Sequence, residues 1–319
     1  MVNKSDDYIL CADEHSLADA ITAIQSSPAV ILDCEGVNLG LQGGCLSLIS
    51  LRPATPPTSQ TYLIDTVILT RDELRPLFDI IQSSSPTKIV FDGRMDFSEL
   101  FHGYGVSMQG VLDLQLADVH SRRQRGELQR GQLRRLSPFL PSREIMWRPK
   151  SYTPLHKLAG LNQCMKEHRL IGNLGGKQSS ENMHTDYIEE NAILICPLVN
   201  HSSWLNRPLT EEYLRYASQD VYLIRLLYAH FKMQGYISDR LPAQSARYVA
   251  IWQDEKPQKT DKFRRHPILP LQILDHNSNS PTVLCVGCRR HLPETECPKA
   301  AGPMKHHMCW VCRAINLRG

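Results

Sequence analysis

Apolar residues run without a break from Ala29 to Leu32 and then give way to Asp33, Cys34, Glu35 and Gly36. A continuous apolar run closed by a Gly turn predicts a buried strand. Strand side chains alternate, so Asp33 and Glu35 face the same way, while Cys34 points to the opposite face as a small apolar residue. Further strands are predicted at 45–51, 61–65 and 88–91. Residues 8–25 open with a short apolar run and continue into Leu17, Ala20, Ile21 and Ile24 at helical spacing, which predicts a strand and then a helix. Arg71–Gln82 reads as an amphipathic helix, and Phe97–Leu100 opens another. Helical pattern returns at Thr153–Glu167, at Met183–Ile195 and at Thr210–Ile224, where Thr210 is available as N-cap and acids fill the first turn. In that last helix a spacing of four puts Tyr216 and Asp220 on one face. Strands first, then strand and helix alternating, predict an α/β fold built on a mixed sheet flanked by helices.

Length divides this picture. The 319 residues suit one large domain and a smaller module, with divisions expected at 1–245, 246–281 and 282–319. The middle part, with its prolines and the polar run His276–Ser280, reads as a linker. Gly172–Lys177 has a phosphate-loop flavour but lacks the leading Gly, and is read as a flexible loop. A content of 42% hydrophobic and 22% charged residues is that of a soluble globular protein. No apolar run approaches the roughly 20 residues that span a bilayer, and Met1–Leu10 does not resemble a signal peptide. The expected location is cytoplasmic or nuclear. Ten cysteines in such a compartment point to metal or packing before disulfides.

The net charge of +3 does not declare a nucleic-acid binder, but its distribution adds something. From Arg122 to Lys150 there are nine Lys or Arg residues against Glu127 and Glu144. This stretch either contacts phosphates or forms a solvated helical face docked through Leu128, Leu133 and Leu136. Trp147 and Tyr152 nearby have two readings as well, stacking on unpaired bases or burial.

Asp33, Glu35, Asp96 and Asp220, with Tyr216, are the candidate catalytic set. Each acid alone would be read as a cap or turn residue, as Asp65 is, and Tyr216 alone as a packing residue. Together they suggest carboxylates whose mutual repulsion is relieved by divalent cations. Hard oxygen ligands favour Mg2+ or Mn2+, and a pair of such ions suits phosphodiester hydrolysis.

These motifs resemble the DEDD 3′-to-5′ exonucleases of the ribonuclease D-like type with a Tyr-x-x-x-Asp third motif. Asp33-Cys34-Glu35 resembles the first motif, Lys88–Leu100 the second with Asp96 as its acid, and Tyr216–Asp220 the third. Gly44–Ile49, Tyr62–Asp65 and Trp204–Leu209 resemble the family's supporting segments. The likeness covers roughly residues 10 to 240, about three quarters of the chain. It departs at Phe91, where many relatives carry His, and Asp92 adds a second acid, so the choice of acid in this motif stays open.

The resemblance implies a ribonuclease-H-like fold and release of mononucleotides from the 3′ end. It also implies that Asp33 bridges two metals, that Glu35 and Asp220 complete the site that activates water, that Asp96 holds the second metal and that Tyr216 orients the attacking water. Single-stranded RNA is the favoured substrate and single-stranded DNA the alternative, on resemblance alone. A rival reading, suggested by Egalitarian-like relatives, is a catalytically inactive RNA-binding adaptor or scaffold.

The C-terminal segment is legible by its cysteines. Cys285-x-x-Cys288 and Cys309-x-x-Cys312, twenty residues apart, have the spacing of a four-thiolate zinc site of the zinc-ribbon kind, structural because no coordination position is left open. Cys297, His306 and His307 are second choices as ligands, and iron–sulfur ligation fits the ligand count. Arg289, Arg290, Lys299, Lys305, Arg313 and Arg318 make the module a candidate nucleic-acid grip, and Trp310 a candidate centre for docking a protein partner.

Overall fold

The computed structural model describes residues 8–55, 60–171, 200–263, 266–274, 281–298 and 306–316. The loop expected at 172–177 and the helix expected at 183–195 lie outside the described residues. The chain divides into two compact units, each discontinuous in sequence: Met1–Ala117 with Gly160–Lys256, and Asp118–Ala159 with Pro257–Gly319.

The first unit is built on the expected mixed sheet. Its strands are β1 (Tyr8–Cys11), β2 (Ala29–Val37), β3 (Cys45–Pro53), β4 (Thr61–Asp65), β5 (Thr87–Val90) and β6 (Val111–Asp113), in the order β1-β4-β3-β2-β5-β6. β3 is antiparallel to both its neighbours, and the other pairings are parallel. The apolar run that marks β2 is continuous because this strand lies inside the sheet, with Val30, Ile31 and Leu32 all buried. Helix α1 (Glu14–Gln25) starts at Asp13, whose side chain accepts from the Ser16 amide at 2.8 Å, and buries Leu17, Ala20 and Ile24. Helix α2 (Arg75–Gln82) buries Leu77, Phe78, Ile80 and Ile81. Helix α3 (Arg94–Glu99) follows β5, and α4 (Leu114–Gln124) follows β6.

In the second unit α5 (Gln129–Arg135), α6 (Ser142–Trp147) and α7 (Pro149–Tyr152) share a core with α11 (Trp310–Asn316) and the hairpin of β7 (Thr282–Leu284) and β8 (His291–Pro293). Leu133, Leu136, Leu140, Ile145 and Tyr152 pack there with Ile268, Leu271 and the cysteines. The helix expected over Thr153–Glu167 is cut short: α8 (Leu161–Glu167) begins only after Gly160. Pro154 has no amide to donate, and residues 156–158 instead pair with 267–269, the Leu158 amide donating to Pro267 at 2.7 Å and the Leu269 amide to His156 at 2.9 Å. Within the expected linker, Ile268, Leu269, Leu271 and Ile273 are accordingly buried.

The long helix α9 (Glu211–Met233) and α10 (Leu241–Val249) complete the first unit. Thr210 takes the N-cap position of α9 with extended backbone, without a side-chain cap bond. No helix of the described residues is long and apolar enough to cross a membrane.

Candidate active site

Three elements converge on the acids. β2 supplies Asp33 and Glu35 on one face, and its register with β3 shifts between Glu35 and Gly36. A bulge of this kind re-aims side chains at the end of a strand. Gly36 makes it possible, because a Cβ there would stand 2.1 Å from the Cys45 carbonyl oxygen. α3 carries Asp96 in its first turn. α9 packs against β2, β3 and β4 and brings Asp220, with Tyr216 one turn earlier.

Carboxylate oxygens of Asp33, Glu35 and Asp220 all lie within 4.8 Å of one another. Asp96 is their electrostatic neighbour. Asp33 and Asp96 both accept from the backbone N–H of Cys34, and the charge of Asp96 acts on both Asp33 and Glu35. Asp33 titrates well above the usual carboxylate range because of enclosure first, then Asp96 and Asp220. Glu35 is held up likewise, by burial and then by Asp33, Asp220 and Asp96. Asp96 is pushed up to about 8 by burial, then by Asp92 and Asp113. The charged groups acting on Asp33 and Glu35 are all carboxylates, so the pocket concentrates negative charge that a cation would relieve. An all-oxygen, anionic donor set of this kind fits Mg2+ or Mn2+.

Asp92 and Asp96 differ in their surroundings. Asp92 has a left-handed backbone (φ 58°), and its carboxylate accepts from Arg94 at 2.5 and 2.8 Å and from the Tyr248 hydroxyl at 3.4 Å. Asp113 stabilises the same turn, accepting the amides of Asp92, Gly93 and Gln115 at 3.2, 2.9 and 2.8 Å. Asp92 is thus tied into the turn before α3, whereas the charge of Asp96 acts on Asp33 and Glu35.

Sequence reasoning assigned no role to Arg207 or His201. Arg207 makes a two-pronged ion pair with Asp65, both bonds 2.7 Å, and also donates to the Ser47 carbonyl and hydroxyl at 3.2 and 3.1 Å. Ser47 donates in turn to the Trp204 carbonyl. These bonds fasten the approach to α9 onto β3 and β4. Asp65 keeps its expected turn role, accepting the amides of Val67 and Ile68, but adds this buried pair. Trp204, fully buried, meets Tyr213 and Tyr216 edge-on at 4.8 and 6.1 Å, and the His201 ring stands 6.4 Å from that of Tyr216. Cys34 is buried among apolar residues, as expected.

In the second unit the sulfurs of Cys285, Cys288, Cys309 and Cys312 lie within 4.8 Å of one another. The Cys309 amide points at the Cys285 sulfur (3.3 Å) and the Cys312 amide at the Cys309 sulfur (3.4 Å). A Cβ on Gly287 would stand 2.7 Å from the Cβ of Cys312, so the first knuckle needs glycine. Cys285 is drawn towards the thiolate by hydrogen bonds from Cys288, Cys297, Cys309 and Cys312. Cys297 is thus a fifth thiol at the cluster, whereas the His307 ring bonds the Cys297 carbonyl at 2.9 Å. Four sulfurs at this separation fit tetrahedral zinc. Trp310 does not stand free: it meets Tyr152 edge-on at 5.8 Å, and Arg313 lies 5.6 Å over its ring. Lys299, Lys305 and Arg318 lie outside the described residues.

A mixed sheet whose central strand and two flanking helices gather acids into one pocket can be compared with known proteins as a fold. Residues 8–132 match the family model described as 3′-5′ exonuclease. Among solved structures it is similar to Trypanosoma brucei RNase D in complex with RNA U12, at 18% identity and TM-score 0.54 over 93% of this chain and 90% of that one. It is also similar to Trypanosoma brucei RNase D itself, at 21% identity and TM-score 0.51 over 79% of this chain and 75% of that one. No curated protein matches the chain.

Proposed function

We propose that the chain is a metal-dependent 3′-to-5′ exonuclease acting on single-stranded nucleic acid, with RNA favoured over DNA. The observation that carries this reading is the meeting of carboxylate oxygens of Asp33, Glu35 and Asp220 within 4.8 Å of one another in one pocket. Asp33, Glu35, Asp96 and Asp220 would hold two divalent ions. Bound there, the ions supply charge neutralisation, ionisation of a water and stabilisation of the departing oxygen. Tyr216 would position the attacking water and Arg207 the helix that carries Tyr216 and Asp220. The preference for RNA draws support from the similar Trypanosoma RNase D, whose structure contains RNA U12. The four cysteines of the segment 282–319 would hold a structural Zn2+ in the second compact unit, whose core they share with residues of 133–155 and 268–271.

The test is incubation of the purified chain with 5′-labelled single-stranded RNA and DNA in Mg2+, Mn2+ or chelator, beside Asp33→Ala. Stepwise shortening from the 3′ end that disappears in chelator and in the variant is the expected result. Shortening that persists in Asp33→Ala, or its absence from the unmodified chain under every condition, removes the reading.

A further inference from the structure

The basic stretch from Arg122 to Lys150 separates into two populations. Arg122 is buried and pairs with Asp118 at 2.7 Å, and Arg125 reaches the same carboxylate at 3.1 Å. Arg135 pairs with Glu127 at 2.6 Å, and Arg148 approaches Glu144 at 3.9 Å. Glu144 is further engaged by the Tyr152 hydroxyl at 3.0 Å. Both acids of the stretch are thereby occupied by its own residues. Arg123, Arg130, Arg134, Arg143 and Lys150 remain, all exposed. None of these five is paired with an acid among the described residues.

Within this surplus of positive charge stands an aromatic ring the core does not use. Tyr152 is fully buried, but Trp147, at the end of α6, is 66% exposed beside Met146 at 77%. Arg143, one turn earlier on the same helix, holds its guanidinium 4.2 Å over the Trp147 ring. One face of the indole is covered by a cation and most of the remaining ring is open. A flat, electron-rich ring with a cation on one face, in a segment rich in unpaired basic residues, has the properties of a stacking platform for an unpaired base, the basic residues of the segment meeting phosphates. The exposed apolar surface of this six-residue helix is small for anchorage in a bilayer, which buries a long apolar face.

We infer that the Arg143–Trp147 pair, with Lys150 three residues on in the chain, is a binding site for single-stranded nucleic acid on the second compact unit. This rests on the proposed nuclease reading only for the choice of polyanion. One base stacks on Trp147 and the basic side chains take neighbouring phosphates without reading sequence.

The experiment uses the full chain carrying Asp33→Asn, so that oligonucleotide is not consumed. Affinity for a fluorescein-labelled 20-nucleotide oligo(U) is measured by anisotropy at several salt concentrations. Trp147→Ala should weaken binding by about 10- to 100-fold, and Trp147→Phe should recover much of the loss. The double variant Arg143→Glu, Lys150→Glu should weaken it and flatten the salt dependence. Affinity unchanged in both Trp147→Ala and the charge reversal overturns the inference. Binding of phosphatidylserine vesicles that depends on Trp147 while oligo(U) binding does not would also overturn it, in favour of a membrane surface.

Hydrolysis of the p-nitrophenyl ester of thymidine 5′-phosphate, followed on the chain with Asp33 intact, reports the acid pocket alone. Its absence, together with absence of hydrolysis of the corresponding uridine 5′-phosphate ester, would sink the nuclease reading while the affinity measurements still decide the platform.

Discussion

Asp96 offers the sharpest test of the pocket's electrostatics because it can be neutralised without changing its shape. Its carboxyl is pushed from an ordinary 3.8 up to about 8, chiefly by burial. Between those values the folded chain keeps a proton that the unfolded chain has released, so this group lowers stability progressively as pH rises through the window. Asparagine carries no such burden. Each pH unit is worth somewhat over ~1 kcal/mol, which sets a ceiling of about 4 kcal/mol at pH 7, and sharing among the neighbouring acids reduces the expected gain to about 2 kcal/mol. For a unit of this size that corresponds to a rise in Tm of about 4–8 °C. Thermal unfolding of Asp96→Asn and the unmodified chain, followed from pH 4 to 8 in chelator, should show the variant more stable at pH 7 and the two converging near pH 4. In Mn2+ the unmodified chain should gain the more. A variant no more stable than the parent at pH 7 without metal refutes the reasoning.

Other expectations follow from single contacts. Arg207→Met leaves the 1%-exposed Asp65 side chain without its ion-pair partner and should cost about 3–5 kcal/mol by denaturant unfolding. If the cost is below about 1 kcal/mol, the clamp on the approach to α9 is not structural. Tyr216→Phe should lower kcat by roughly 10²-fold with little change in oligonucleotide affinity, as measured by single-turnover kinetics and anisotropy. An equal fall in affinity would make Tyr216 a binding residue instead. Displacement by an organic mercurial, which takes up the thiolates as mercaptides, should release one zinc per chain to a colorimetric chelator, and Cys288→Ser should reduce this and destabilise the second unit.

How much of this was readable from the sequence depended on the length of the signal. The run Ala29–Leu32 ending in Asp33-Cys34-Glu35 was long enough to mark a buried strand and the direction of its acids, and the i, i+4 spacing of Tyr216 and Asp220 marked their shared helix face. β6, at three residues, was too short to show a period, although its Asp113 holds the turn that separates Asp92 from Asp96. That separation was invisible in sequence because it depends on Arg94 and Tyr248 reaching Asp92. The pairing of 156–158 with 267–269 joins residues over a hundred positions apart, which neither helical pattern nor linker composition registers. Trp147 and Tyr152 had equal claims to burial along the chain, and only packing assigned one to the core and the other to solvent.

The central claim is that the acids of β2, α3 and α9 form one divalent-cation site, and counting bound Mn2+ by electron paramagnetic resonance tests it most directly. The account predicts about two ions per chain at neutral pH, with loss of both in Asp33→Asn, Asp220→Asn protein that remains folded by circular dichroism. Uptake that is the same in that double variant, or no uptake by the unmodified chain, would contradict it.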